Sequence, residues 1–364
     1  MKKFVAVLLT LALAIVAFAA MADGIRVAMI TDYGDITDQS FNQTTYEACV
    51  AYCEANNIEF TYYKPAGDST AERVAMVEKA VDEDYNVLVM PGYAFGETVA
   101  EVQDVYPDVK IIALDVSSGD LGGAEPAKNV YCAVYQEELC GYMAGYAAVK
   151  LGYKHLGYLG GMAVPAVVRY GYGFVQGANA AAAELGLNDV VVEYVYGNQF
   201  YGDADITAYM DNWYQTLGVQ VVFACGGGIY TSAAEAAKKV DGAKVIGVDV
   251  DQAAQIDSTY NAPGLTLTSA MKGLSATVKT LLKAIEDGKW DEFGGKVDNL
   301  GLVGEDPEAN YVQIAASTQF GDGFTQDDYK ALVAKMFKGE VTVSNAIDAM
   351  PAVTITVNDR GTVK

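Results

Sequence analysis

Short apolar runs alternate with longer segments of helical periodicity along most of the chain. In its first part the pattern predicts strands at residues 25–30, 59–63, 87–90 and 110–114, and helices at 39–56, 70–82 and 97–105. Strands that alternate with helices in this way pair in parallel, because each helix carries the chain back to the same end of the sheet. The first part of the chain therefore predicts one α/β unit.

The same alternation begins again further along the chain. It predicts strands at residues 155–159, 190–196, 221–224 and 244–248, and helices at 137–151, 168–185, 205–217 and 231–239. Beyond residue 251 the order is looser, with strands expected at 265–269 and 311–316 and helices at 275–287 and 325–338. The sequence thus predicts an α/β protein of two lobes, each a parallel sheet with helices on both faces.

The looser tail is typical of a chain that returns to its first lobe and then ends on its second. We place the first lobe at residues 23–120 plus 272–300, and the second at residues 121–271 plus 301–364. The segment 117–129 is rich in Gly, Ala and Asp. We expect this segment to be the first connection between the lobes.

The N-terminus has the features of a secretory signal peptide. Lys2 and Lys3 supply positive charge, residues 4–19 are apolar and uncharged, and Ala20-Met21-Ala22 has the small-x-small form of a cleavage site. We predict a signal peptide at residues 1–22 and an exported protein, periplasmic or at the cell surface. An uncleaved anchor helix is the alternative. No cysteine follows the junction, so we expect no lipid attachment there.

The chain is strongly acidic, with 24 Lys+Arg, 47 Asp+Glu and a net charge of −23. Removal of Lys2 and Lys3 with the signal peptide leaves 22 against 47, a net charge of −25. Such a protein is repelled by phosphate backbones and by anionic lipid surfaces. Nucleic acid is therefore not an expected partner, and a highly anionic ligand is disfavoured.

In open parallel sheets, ligands bind beyond the carboxyl ends of the strands. The side chains at these positions are mainly carboxylates, an amide and aromatics, with one lysine: Asp32, Asp38, Phe41, Asn42, Tyr93, Asp115, Met162, Tyr170, Phe200, Asp249 and Lys272. This set suits a flat, neutral ligand that carries hydroxyl groups. For each aspartate a turn or helix-cap role is the alternative, and for Phe41 a place in the core.

Signatures of enzymes and cofactors are scarce. His155 is the one histidine, and its place beside an apolar strand favours a structural role, so neither a Ser-His-Asp relay nor the usual metal site is expected. No cofactor is predicted. A pair of carboxylates that acts in glycoside hydrolysis remains an alternative, since acidic residues are plentiful. The five cysteines are interpreted mostly as small buried apolar residues, and their disulfide state is left open: Cys49, Cys53, Cys132, Cys140 and Cys225.

Five segments, taken in order, resemble the basic membrane protein family, the purine-nucleoside-binding proteins of ABC importers. The first is TDYGDITDQSFNQ at residues 31–43, and the second combines GGM at 160–162 with Pro165, VRY at 168–170 and GF at 173–174. The others are CGGG at 225–228, GVDVDQ at 247–252 and LTSAMK at 267–272. The similarity spans about residues 25–345. It implies a type I periplasmic-binding-protein fold, with two lobes joined by three crossovers.

The resemblance also implies roles for individual residues. Phe41 would stack on one face of a purine base and Phe200 or Tyr201 on the other, with Asp38, Asn42 and Asp115 beside it. Asp249, Lys272 and the Gly227 backbone would hold the ribose hydroxyls. Thr37 stands where the family usually has Asp, and Tyr170 where it usually has Phe. The implied partner is an ABC permease, and we expect the protein to act as a monomer.

Two other functions remain as alternatives at this point. One is a sugar or autoinducer binder on the same fold. The other is an extracytoplasmic nucleoside hydrolase built from the aspartates at the strand ends.

Overall fold

The first lobe is built on a parallel sheet. The computed structural model describes residues 24–363, and within that range the sheet has six strands: β1 (Arg26–Ile30), β2 (Glu59–Tyr63), β3 (Val87–Pro91), β4 (Lys110–Leu114), β5 (Val130–Tyr135) and β11 (Lys296–Leu300). Their spatial order is β11-β5-β4-β3-β1-β2, and every neighbouring pair is parallel. The helices of this lobe are α1 (Phe41–Asn56), α2 (Thr70–Asp82), α3 (Phe95–Val102) and α9 (Leu274–Glu286).

The second lobe has a seven-stranded sheet within the described residues: β6 (His155–Gly160), β7 (Val191–Tyr196), β8 (Val221–Cys225), β9 (Lys244–Asp249), β10 (Thr266–Lys272), β12 (Val312–Ile314) and β13 (Thr356–Thr362). The order is β12-β10-β9-β8-β6-β7-β13, and β12 alone in this sheet runs antiparallel to its neighbour.

The helices of the second lobe are α4 (Glu137–Lys150), α5 (Pro165–Leu185), α6 (Ala204–Asn212), α7 (Tyr230–Ala237), α8 (Ala253–Thr259) and α10 (Gln326–Phe337). A π-helix at Trp213–Leu217 continues α6, and short 3₁₀ turns lie at Trp290–Glu292 and Pro307–Ala309. Thr325 and Asp328 form a capping box at the start of α10. The predicted α/β class with two largely parallel sheets is confirmed.

The predicted boundary between the lobes at residues 120 and 121 is wrong. β5 pairs with β4 in the first sheet, so the segment 117–129 joins two neighbouring strands of one lobe. Asn129 holds this segment in place, because its amide nitrogen donates to the carbonyl oxygens of residues 103, 106 and 109. The chain crosses between the sheets after β5, after β10 and between β11 and β12.

The predicted signal peptide at residues 1–22 lies outside the described residues. Between residues 24 and 363, none of the helices has the length and apolar character needed to cross a bilayer.

Helices α4 and α5 approach each other so closely that glycine is required at their contact. A Cβ at Gly141 would collide with the carbonyl oxygen of Tyr170, and one at Gly177 would collide with that of Tyr142. Close packing of this kind fixes the distance between two backbones. It thereby positions the first turn of α4 beside Tyr170, which faces the cleft described below.

We expect Gly177→Ala to lower the free energy of unfolding by about 1 to 3 kcal/mol, because the added methyl overpacks the contact between α4 and α5. Helix propensity alone predicts the opposite sign, since alanine is favoured over glycine inside helices by up to about 1 kcal/mol. Urea unfolding measures the difference. Ala183→Gly, at an exposed position of α5, gives the size of the propensity effect. A stabilised Gly177→Ala variant would contradict the proposed close contact.

Candidate ligand-binding cleft

A cavity of about 670 Å³ lies where the carboxyl ends of the two sheets face each other. All of the residues predicted from the sequence border it: Asp32, Asp38, Phe41, Asn42, Asp115, Met162, Tyr170, Phe200, Gly227, Asp249 and Lys272. Tyr93, which follows β3, also borders it. Residues separated by more than 200 positions in the sequence therefore meet at one place.

Asp38 holds the loop that leads into α1. Its carboxylate accepts hydrogen bonds from the backbone N–H groups of Ser40 at 2.9 Å, Asn42 at 3.0 Å and Gln43 at 3.1 Å. This is the helix-cap role that the sequence left as an alternative, and it coexists with a position in the cavity wall. Burial raises the pKa of Asp38, although these hydrogen bonds act to lower it.

The Asn42 side chain is oriented by two neighbouring carboxylates. Its amide nitrogen donates to Asp38 Oδ2 at 3.3 Å and also contacts the carboxylate of Asp32. Its oxygen is buried, and it has no hydrogen-bond partner among the described residues. Because the nitrogen must face the carboxylates, the oxygen is left as an unpaired acceptor in a residue that borders the cavity.

Asp32 is packed against glycine backbone on both sides. Its Oδ1 accepts from the Gly34 N–H at 2.6 Å, and a Cβ at Gly92 would lie 2.6 Å from its Oδ2. Gly92 also has φ of +126°, a conformation that suits only glycine. Burial raises the pKa of Asp32 to about 7, against the lowering effect of the Gly34 and Asn42 hydrogen bonds.

Phe200 is one of the aromatic residues that the second lobe contributes to the cleft. Its ring lies against glycines, since a Cβ at Gly226 would come within 2.7 Å of it and one at Gly161 would collide with it. Across the cleft it stacks on Tyr33 of the first lobe, with ring centroids 6.0 Å apart and planes 11° apart. Tyr33 was not selected from the sequence, because one tyrosine among 25 carries little information.

Lys272 lies at the centre of the buried charges. Its ammonium nitrogen is 2.6 Å from Asp115 Oδ2, 3.5 Å from Glu137 Oε1 and 3.8 Å from Asp249 Oδ1. It also lies 4.6 Å from the centroid of the Phe41 ring, a cation–π distance. Burial alone would lower the pKa of Lys272, but attraction by the three carboxylates outweighs it and raises the pKa.

Asp115 and Asp249 complete this charged group. Burial raises the pKa of Asp115 to about 6, although Lys272 acts to lower it. Asp115 Oδ1 is buried and has no partner in the described part of the chain. The Tyr170 hydroxyl donates to Asp249 Oδ1 at 3.3 Å, so the tyrosine at this position supplies a hydrogen bond that phenylalanine could not.

Sequence reasoning missed the support beneath Lys272. Glu137 is fully buried, and its Oε2 accepts from Arg169 Nε at 2.6 Å. Burial also raises the pKa of the neighbouring Glu138 to about 7. Two consecutive glutamates at the start of an otherwise apolar helix were the available signal, because buried carboxylates need a partner.

Of the other residues singled out from the sequence, Cys225 borders the cavity, whereas His155 and the remaining cysteines are not part of its lining. His155 starts β6, at the end of the strand opposite the cleft, and its ring contacts Glu193 at 3.4 Å. The five cysteines are buried free thiols, as interpreted from the sequence. No group of three or more His, Cys, Asp or Glu residues suited to a metal occurs among the described residues.

Asp32→Asn tests the consequence of burying this carboxyl. Because the pKa is raised from 3.8 to about 7, the folded protein holds the proton more tightly than the unfolded chain. The stability contributed by the protonated Asp32 carboxyl is complete below about pH 4 and is lost as the pH rises through about 7. We expect the free energy of unfolding of the wild type to fall over this interval by about 1 to 3 kcal/mol more than that of Asp32→Asn. Urea titrations at several pH values measure it, and equal pH dependence would contradict the assignment.

Solved structures support the fold. An ABC transporter solute-binding protein from Conexibacter woesei matches with a TM-score of 0.65 and 22% sequence identity, over 88% of this chain and 99% of that chain. At that identity the likeness shows the fold alone, and it confirms the type I periplasmic-binding-protein architecture.

Sequence relatives carry more specific names. The chain is 26% identical over 324 residues to the ABC transporter nucleoside-binding protein BmpA of Lactococcus lactis, covering 82% of this chain and 88% of the relative. It is also 26% identical to basic membrane protein B of Borreliella afzelii, covering 76% and 78% of the two chains.

The model of the Bmp family, described as ABC transporter substrate-binding protein PnrA-like, matches residues 25–319. The resemblance found in five segments is thereby confirmed. Proteins of this family bind substrates and are not enzymes, so the hydrolase alternative is excluded. The chain therefore belongs to the Bmp family, whose extracytoplasmic members bind small molecules and work with the permeases of ABC transporters.

Proposed function

We propose that this protein captures a purine nucleoside between its two lobes and delivers it to the permease of an ABC importer. The observation that carries the proposal is a pair of buried acceptor atoms, Asn42 Oδ1 and Asp115 Oδ1, which lack partners among the described residues. Both belong to residues that border the cavity. A buried acceptor without a protein partner needs a donor from outside the chain, and a ligand in the adjoining cavity can supply it. Nucleosides supply them as N–H and O–H groups.

The aromatic residues favour a flat base. Phe41 and Phe200 both border the cavity and come from different lobes. Stacking on an aromatic side chain contributes about 1 to 3 kcal/mol per base. Asn42 and Asp38 then lie where they can contact the edge of the base.

The charges favour a nucleoside over a nucleotide. Within the described lining, Lys272 is the one cation, whereas the carboxylates are Asp32, Asp35, Asp38, Asp68, Asp115 and Asp249. The charge of Lys272 is already balanced by Asp115, Glu137 and Asp249. A phosphate would meet repulsion here, while ribose hydroxyls can donate to Asp249 and accept from Lys272.

Gly227 fits a position against the sugar. Its φ of +52° and the Phe200 carbonyl oxygen, 2.7 Å from where a Cβ would be, both favour glycine. Its lack of a side chain leaves the backbone open to the cavity. Closure about the three crossovers would bring both lobes onto one ligand. An exported monomer, released from a signal peptide at residues 1–22, completes the proposal.

A thermal-shift screen tests the ligand class. We expect inosine, guanosine or adenosine to raise the melting temperature in a concentration-dependent way, because a ligand that binds only the folded form stabilises it. Free bases, pentoses and hexoses are the comparison set. A clear shift with a sugar and none with any nucleoside would overturn the purine assignment in favour of the sugar-binding alternative.

The Asn42 oxygen gives a sharper test of the base. Inosine carries an N–H donor on its base edge, whereas the base of purine riboside offers only acceptors. We expect inosine to bind at least about tenfold more tightly than purine riboside to the wild type, because an unsatisfied buried acceptor costs about 1 to 3 kcal/mol. In Asn42→Ala the ratio should fall close to one. An unchanged ratio in calorimetric titrations would remove Asn42 from the base site.

A further inference from the structure

Two hydrogen bonds join the two lobes through residues that lie mostly outside the cavity lining. Ser40 Oγ donates to Asp249 Oδ2 at 2.5 Å, and Gln252 Nε2 donates to the main-chain oxygen of Gln39 at 2.9 Å. Ser40 is fully buried and Gln252 is 1% exposed. Of these four residues, Asp249 alone belongs to the described cavity lining. The two bonds join the loop after β1 in the first lobe to the loop after β9 in the second.

We propose that Gln39, Ser40 and Gln252 form an interlobe clasp, which stabilises the closed arrangement whatever ligand the cleft holds. The clasp depends on closure of the two lobes, and it does not depend on the ligand being a nucleoside. Its contacts are made by protein groups alone. Each contact exists only when the two loops meet.

The Gln252 side chain is fixed in the orientation that the clasp needs. Its Oε1 accepts from the Val248 N–H at 2.9 Å, and its own backbone N–H donates to Ser269 Oγ at 3.1 Å. With the oxygen engaged inside the second lobe, the amide nitrogen faces Gln39. The donor is therefore held in place by its own lobe before the cleft closes.

Ser40 is free to serve the clasp because it does not cap its helix. It occupies the N-cap position of α1, yet its side chain makes no capping hydrogen bond among the described residues. The Asp38 carboxylate accepts from the first backbone N–H groups instead. The Ser40 hydroxyl is left to bind Asp249, whose other oxygen accepts from Tyr170.

Both loops adopt unusual backbone conformations at the clasp. Gln39 has φ of 56° and Asp249 has φ of 65°, in the left-handed region that favours glycine. Such conformations persist in other residues where the surrounding contacts over-determine them. The main-chain N–H of Gln39 donates to Gln43 Oε1 at 3.0 Å, and its main-chain oxygen accepts from Gln252. Both main-chain polar groups of Gln39 are therefore engaged.

A contact that acts only on closure has a recognisable thermodynamic signature. It changes the fraction of molecules in the binding-competent state, so it changes the apparent affinity for every ligand by the same factor. A residue that touches the ligand changes the order of preference among ligands instead. The two roles are therefore separable by experiment.

Ser40→Ala and Gln252→Glu test the clasp in the full-length protein. The glutamate keeps an acceptor for the Val248 N–H but places an oxygen against the Gln39 carbonyl. Ser317→Ala is the matched control, because it removes a serine–aspartate bond of 2.6 Å to Asp251 that stays within the second lobe. The readouts are the radius of gyration by small-angle X-ray scattering without ligand, and the dissociation rates of inosine and guanosine by stopped flow.

We expect both clasp variants to have a larger radius of gyration than the control. They should release both nucleosides at least about tenfold faster, and the ratio of the inosine and guanosine dissociation rates should stay unchanged. Radii and rates equal to those of the control would overturn the clasp, as would a changed ratio. If no nucleoside binds any of the proteins, the proposed ligand fails. The scattering comparison then decides the clasp alone, and equal radii overturn it.

Discussion

The Lys272 side chain is 3% exposed, and its positive charge is balanced by the carboxylates of Asp115, Glu137 and Asp249. A buried charge is tolerated only when partners replace the water it has lost, and removal of one partner of such a group typically costs about 3 to 5 kcal/mol. These partners come from both lobes and from the first turn after a crossover. Much of the cleft is therefore arranged around one ammonium group.

The arrangement also limits what the cleft can bind. The lysine charge is already matched, and the remaining polar atoms in the wall are mostly acceptors. A ligand gains most if it is neutral, presents several donors and has a flat face for Phe41 or Phe200. Contacts between protein groups, at Ser40 and Gln252, add a ligand-independent part to closure. Selectivity and closure thus depend on largely different side chains, although Asp249 takes part in both.

Much of this site was predictable from the sequence, because parallel strands bring their carboxyl ends to one edge and the residues that follow each strand must meet there. The roles of Glu137 and Ser40 were not predictable, because they depend on partners in distant segments, Lys272 and Asp249. The lobe boundary was misplaced because β5 is a short buried strand after a loop that resembles a linker. The C-terminal strand β13 was missed too, since its polar, largely exposed sequence lacks a strand's alternation.

Binding depends most on ribose hydroxyls of the ligand that donate to Asp249 and accept from Lys272. Calorimetric titration of the wild type with inosine and with 2′,3′-dideoxyinosine tests this directly, because the two share a base and differ only in ribose hydroxyls. We expect one inosine to bind per chain, and the dideoxy compound to bind at least about a hundredfold more weakly. Equal affinity for the two compounds would contradict the account.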